Sequence, residues 1–162
     1  MSPRAACRLA HLGYSPVYDY AAGKMDWLSF ALPHDGEATL AAAVADRDLP
    51  TCGIDTRVGE ARARAERADA NFCVVLHDSG VVMGLAQGEA LQADPATPVE
   101  EVMDFGITTV RPAEEVDVLL ERMRKAHVEA ILVTRSDGTL FGLLTATQAQ
   151  RSRARAGLST PR

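Results

Sequence analysis

The chain contains no apolar run near the ~20 residues that a membrane span needs. Its first residues, MSPRAACRLAHLG, lack the apolar block of a secretory signal. Both absences point to a cytoplasmic protein with no membrane partner. Cysteine is scarce. Cys7, Cys52 and Cys73 form an odd set without paired spacing, which argues against a disulfide framework and against a zinc site. The four histidines are equally scattered, so no metal is expected. Positive charge is in deficit: the net charge of −5 makes nucleic acid an unlikely partner. No nucleophile–base pair or general acid/base pair stands out, and catalysis is not expected.

What is present is a stretch written twice. Residues 129–145 read EAILVTRSDGTLFGLLT, an apolar run, an Asp-Gly turn and a returning apolar run. Asp-Gly between apolar runs is a strong hairpin signal, because Gly accepts the positive φ of a tight turn. Residues 71–87, NFCVVLHDSGVVMGLAQ, carry the same pattern 58 positions upstream. Gly80 and Gly84 fall opposite Gly138 and Gly142. The register extends backward without a gap: Thr39, Val44, Asp46, Thr51 and Val58 pair with Thr97, Val102, Asp104, Thr109 and Val116. Two copies of one unit predict two similar lobes around a shared core, and 162 residues suffice to bury one.

Pattern then places the elements. Ser2 as N-cap and Pro3 at the first helical position predict a helix that ends at Gly13. Val17 to Tyr20 is a candidate strand, and Met25 to Phe30 one or two helical turns, with Trp27 expected to be buried. The Ala-rich stretch 37–45 predicts helix, and Thr51-Cys52 an extended piece. Val58, Ala61, Ala65 and Ala68 share one helix face, small enough for another helix to approach. Residues 88–93 predict a short helix and 94–98 a linker. In the second copy 108–111 predict a strand. Val116, Leu119, Leu120 and Met123 follow the i, i+3, i+4, i+7 rule for the next helix. A last helix, capped by Thr145 or Thr147, is expected to run to about Arg153, with a basic tail over 154–162. The predicted class is α+β: two β-α-β-β-α repeats, 39–93 and 97–153, packed as a pseudo-twofold pair behind a short α/β segment, 1–36.

With the motifs EEVMDFGITTVRP and VDVLLERMRKAHVEAILVTRSDGTLFGLLTATQ, and their weaker first copies, residues 39–153 resemble a tandem pair of CBS domains, or Bateman module. The resemblance implies clefts between repeats that take adenosine-containing ligands such as AMP, ATP or S-adenosylmethionine. The family pattern after the hairpin is Gly-x-x-Ser/Thr-x-x-Asp, in which the carboxylate accepts from ribose hydroxyls. The second copy has Gly142, Thr145 and Gln148 at these positions; the first has Gly84, Gln87 and Ala90. Thr109, Val110 and Leu132, with Thr145 and Gln148, are therefore the implied ligand contacts. The competing reading makes Thr145 an N-cap and Gln148 a solvated helix residue. It is the favoured one, because N-caps are common and the Asp is missing.

Residues 1–36 resemble the C-terminal end of a rhodanese-like domain, through Ala5-Ala6, Leu9, Leu12-Gly13-Tyr14, Val17-Tyr18, Gly23-Lys24, Trp27, Leu32-Pro33 and Gly36. In that family the catalytic Cys lies in a loop before this helix. The chain begins after that loop, and Cys7 falls inside the predicted helix as a small packed residue. Three functions are expected, in this order. The first is a non-catalytic regulatory module that senses an adenosine compound. The second is a ligand-free interaction module that forms a homodimer through CBS helices. The third is a truncated sulfurtransferase.

Overall fold

The computed structural model describes residues 3–18, 26–28, 30, 32 and 38–158. After α1 (Pro3–His11) and the single turn α2 (Ala41–Val44), the first lobe holds β1 (Thr51–Gly53), α3 (Val58–Arg67), β2 (Phe72–Leu76), β3 (Val82–Gln87) and a 3₁₀ turn, Gly88–Gln92. A second 3₁₀ turn, Val99–Glu101, leads to the second lobe: β4 (Thr109–Val110), α4 (Val116–Ala126), β5 (Ala130–Thr134), β6 (Leu140–Thr145) and α5 (Ala146–Leu158). In each lobe the first strand pairs parallel with the second, and the second antiparallel with the third. A parallel step needs a crossover, which α3 and α4 supply. The antiparallel step needs only a tight turn, and Gly80 (φ 81°) and Gly138 (φ 84°) allow it.

The lobes are joined by backbone hydrogen bonds that occur in matched sets. Val58 N–H donates to Thr97 O, and Val116 N–H to Thr39 O, both at 2.9 Å. Leu140 N–H donates to Gly80 O, and Val82 N–H to Gly138 O, both at 3.1 Å. Asp46 and Leu143 exchange two bonds at 2.8 Å; Asp104 and Leu85 exchange theirs at 2.9 and 3.1 Å. Each set relates residues by the sequence repeat, so the pseudo-twofold is built into the backbone. It also explains the second glycine pair. A Cβ on Gly142 would collide with the Asp46 carbonyl oxygen, and one on Gly84 would stand 2.8 Å from that of Asp104.

The expectation of one shared core is corrected. The interior is two clusters. Cys52, Ala61, Ala65, Cys73, Val75 and Ala86 fill the first lobe, together with Val99 and Met103 from the segment before the second. Leu119, Leu120, Met123, Ile131, Val133, Phe141 and Leu144 fill the second, with Ala41 and Ala42 from the segment before the first. A lobe of this size buries too little surface by itself, so each is closed by the other's leader. The Ala face of α3 serves the same purpose. Ala61 and Ala65 are buried in their own lobe, while Ala68 is exposed, so this face is not open to a partner helix.

Other boundaries moved. Among the described residues of 37–45 only Ala41–Val44 is helical, and 88–93 tightens to a 3₁₀ turn. The last helix runs on to Leu158, so 154–158 is helix rather than tail; 159–162 lie outside the described residues. In the N-terminal segment α1 forms with Pro3 at its start, whereas Ser2 is outside the described residues. Val17 and Tyr18 are not strand, and Asp19 and Tyr20 lie outside, as do Gly23, Lys24, Pro33 and Gly36. Cys7 is exposed rather than packed. Trp27 keeps 36% of its surface exposed, while its neighbour Leu28 is buried. The Phe30 ring lies over the Arg135 guanidinium, which in turn stacks on Phe141, with Arg47 also over that ring.

Candidate functional site

The site forms where β6 hands over to α5. Thr145 is the N-cap. Gln148 N–H donates to Thr145 Oγ1 at 3.2 Å, and Thr145 N–H donates to Gln148 Oε1 at 2.8 Å. This reciprocal pair is a capping box, which satisfies two otherwise unpaired amides at the helix start. One residue on, Ala146 N–H donates to the Glu129 carbonyl at 2.8 Å, which ties the start of β5 to the start of α5. Ala130 pairs with Thr145, and Leu132 with Leu143, across the hairpin.

This end of the hairpin faces a cleft of about 1120 Å³ between the lobes. The first lobe contributes Asn71, Phe72, Leu85 and Gln87; the second contributes Ile107, Thr108, Met123, Val128, Leu132, Leu143, Thr145 and Thr147. Charge enters from Arg122 and Lys125 on α4 and from Glu129. Arg122 pairs with Glu114 at 2.7 Å, and Lys125 lies 3.9 Å from Glu121. The Lys125 pair is solvent-exposed and so worth little, and Arg122 is exposed while its partner Glu114 is half-buried. The walls thus combine apolar side chains with hydroxyls, amides and two cations.

Of the residues expected from sequence, Leu132 and Thr145 line this cleft. Thr109 pairs with Leu132 in the sheet and is half-buried off the wall. Val110 is 1% exposed and packs in the second core. Gln148 is occupied by the capping box and is not among the lining residues. Sequence reasoning missed Arg122, Lys125 and Glu129, and all four first-lobe contributions. The repeat could have found part of the set: Asn71 and Glu129, Phe72 and Ala130, Leu85 and Leu143, Gln87 and Thr145 are equivalent pairs, and every one lines the cleft. Nothing in the pattern distinguishes Arg122 from other exposed arginines.

Two shifted sets of titratable groups lie elsewhere. The Thr139 amide and hydroxyl donate to Asp137 Oδ1 at 2.9 and 2.7 Å and hold that carboxyl below its ordinary range. In the first core the neighbouring Cys52 and burial push the Cys73 thiol well above the ordinary thiol range, while Cys52 is lowered by Cys73 and by the nearby Arg64. Among the described residues no group of three His, Cys, Asp or Glu side chains could hold a metal, and no helix is long and apolar enough to cross a membrane.

Comparison with known proteins follows the same division of the chain. Residues 99–152, the second repeat with its leader, match the family model of the CBS domain. Solved CBS pairs superpose on both lobes. The fold is that of a CBS-domain pair. A CBS domain pair of protein MJ0100, in complex with 5′-methylthioadenosine and S-adenosyl-L-methionine, is 18% identical with a TM-score of 0.62; the match covers 73% of this chain and 98% of that one. CBSX2 in complex with AMP is 16% identical with a TM-score of 0.65, covering 73% and 98%. The cytosolic domain of the Mg²⁺ channel MgtE in complex with ATP is 22% identical with a TM-score of 0.64, covering 72% and 49%, so this chain spans about half of that one. At these identities the likeness to the solved pairs is one of fold. No curated protein matches the chain.

Proposed function

We propose that the chain is a non-catalytic regulatory module that binds an adenosine-containing ligand in the cleft between its lobes. The observation that carries this reading is the cleft itself, apolar around Phe72, Leu132 and Leu143 and bordered by Arg122 and Lys125. Its volume of about 1120 Å³ accommodates a nucleotide. A purine fits the apolar walls, and a phosphate or another anionic group meets the two cations. Three structures of the same fold, crystallised with ATP, AMP and S-adenosyl-L-methionine, support the ligand class. A ligand that touches both lobes favours one arrangement of them, which is how occupancy would reach a partner.

Thermal unfolding with AMP, ATP and S-adenosylmethionine tests this. At 100 times its dissociation constant a ligand adds about 2.7 kcal/mol of stability. A rise in Tm with one of the three, lost in an Arg122→Ala/Lys125→Ala double variant for the nucleotides, is the expected result. No rise with any at millimolar concentration contradicts the reading.

A second reading is a homodimeric interaction module that acts without ligand. One observation favours it: Thr145 and Gln148 already satisfy each other in the capping box. The exposed apolar residues Phe105 and Val118 would then be the contact candidates, in place of the buried Ala face of α3. Sedimentation at tens of micromolar separates the readings, since a strict monomer excludes the second.

A further inference from the structure

We infer that Glu129 reads the vicinal hydroxyls of the ligand, in place of residue 148; this rests on the adenosine-ligand reading above. A ribose presents two adjacent hydroxyl donors. An ionised carboxylate suits them because it is acceptor-only and takes two donors at once. Among the described residues lining the cleft, Glu129 is the single acid. Gln148, where the family pattern expects a carboxylate, has its carbonyl oxygen committed to the Thr145 amide and does not reach the cleft wall.

The main chain of Glu129 is held in place. Its carbonyl accepts from Ala146 N–H at 2.8 Å, and the next residue, Ala130, is paired with Thr145. The side chain therefore departs from a fixed point beside the N-terminus of the 13-residue helix α5, where the helix dipole favours a negative charge. The described residues give the Glu129 carboxylate no ion pair, so it is available. Arg122 and Lys125 stand on the α4 wall of the same cleft. One ligand can then satisfy both signs of charge, with hydroxyls on Glu129 and phosphates on α4.

The test is calorimetric titration of the full chain with ATP and with 2′,3′-dideoxy-ATP. Wild type should bind ATP about 10-fold more tightly than the dideoxy analogue, the range expected for hydrogen bonds to a charged acceptor. Glu129→Gln should weaken ATP by a similar factor, leave the analogue unchanged and erase the preference, with only a small drop in Tm from the lost charge at the start of α5, because the residue is exposed. If wild type prefers ATP and Glu129→Gln keeps that preference, or if wild type binds both equally, the assignment to Glu129 is overturned while the cleft reading stands. If wild type binds neither nucleotide nor S-adenosylmethionine, both fall together.

Discussion

The two lobes solve one packing problem with different side chains. Where α4 places Leu119 and Met123 in its core, α3 places Ala61 and Ala65 at the equivalent positions, and all four are buried. The backbone seam is shared, the core volume is not. The same contrast reaches the ends of the repeats. Thr145 caps a 13-residue helix, whereas Gln87 leads into a five-residue 3₁₀ turn without a side-chain cap bond. Gly88, at φ 52°, stands where the second lobe has Ala146, the first residue of α5, and a positive φ cannot begin an α-helix. The lesson is that the fold is specified by crossed backbone bonds and by two pairs of glycines. Those leave the second lobe to carry a full last helix and most of the cleft.

Cutting the larger core sharpens this comparison most. Leu119→Ala should cost about 2–5 kcal/mol, while the reverse change in the other lobe, Ala61→Leu, should cost about 1–3 kcal/mol by overpacking. Urea unfolding measures both. Equal and small costs would mean that the two cores are not packed as the structure shows.

The seam comes next. Gly142→Ala drives a methyl into the Asp46 carbonyl, a backbone atom, and should cost about 1–3 kcal/mol. Gly84→Ala meets the movable Met103 side chain as well as the Asp104 carbonyl, and should cost the same or less. A neutral Gly142→Ala would break the account of the seam.

Thr145→Ala removes a cap that the first lobe lacks and should cost about 1 kcal/mol, against a few tenths for Gln87→Ala. Circular dichroism should show the loss as fraying of α5. The smallest effect is electrostatic. Because the Asp137 carboxyl titrates below its ordinary 3.8 when folded, its contribution is present above that pH and fades as the pH falls through the lowered value. Asp137→Asn should flatten the stability curve below pH 4 and leave pH 7 nearly unchanged; the equivalent turn residue, Ser79, cannot titrate there.

Much of this was legible beforehand. The repeat register matched Thr39 with Thr97, Asp46 with Asp104 and Gly84 with Gly142, and the structure sets each pair at equivalent positions of the seam, which the register itself did not foretell. A cap at Thr145 or Thr147 followed from the helical segment after the hairpin, and the structure selects Thr145. The crossing of leaders did not follow, because apolar periodicity reports that Ala41 or Val99 is buried and not in which lobe. The cleft was legible only in part for a related reason. Its wall is drawn from both copies, so Asn71 and Gln87 acquire meaning only once the lobes face each other. The family resemblance placed Val110 beside the ligand, yet its strand turns the side chain inward to the core.

The most direct test of the central claim is amide NMR of the full chain during titration with AMP or ATP, beside an Ala130→Trp variant that fills the cleft. The account predicts saturable shifts confined to residues 71–72, 85–87, 107–108 and 122–147 in wild type, and none in the variant. Shifts that map elsewhere, or that persist unchanged in Ala130→Trp, would contradict it.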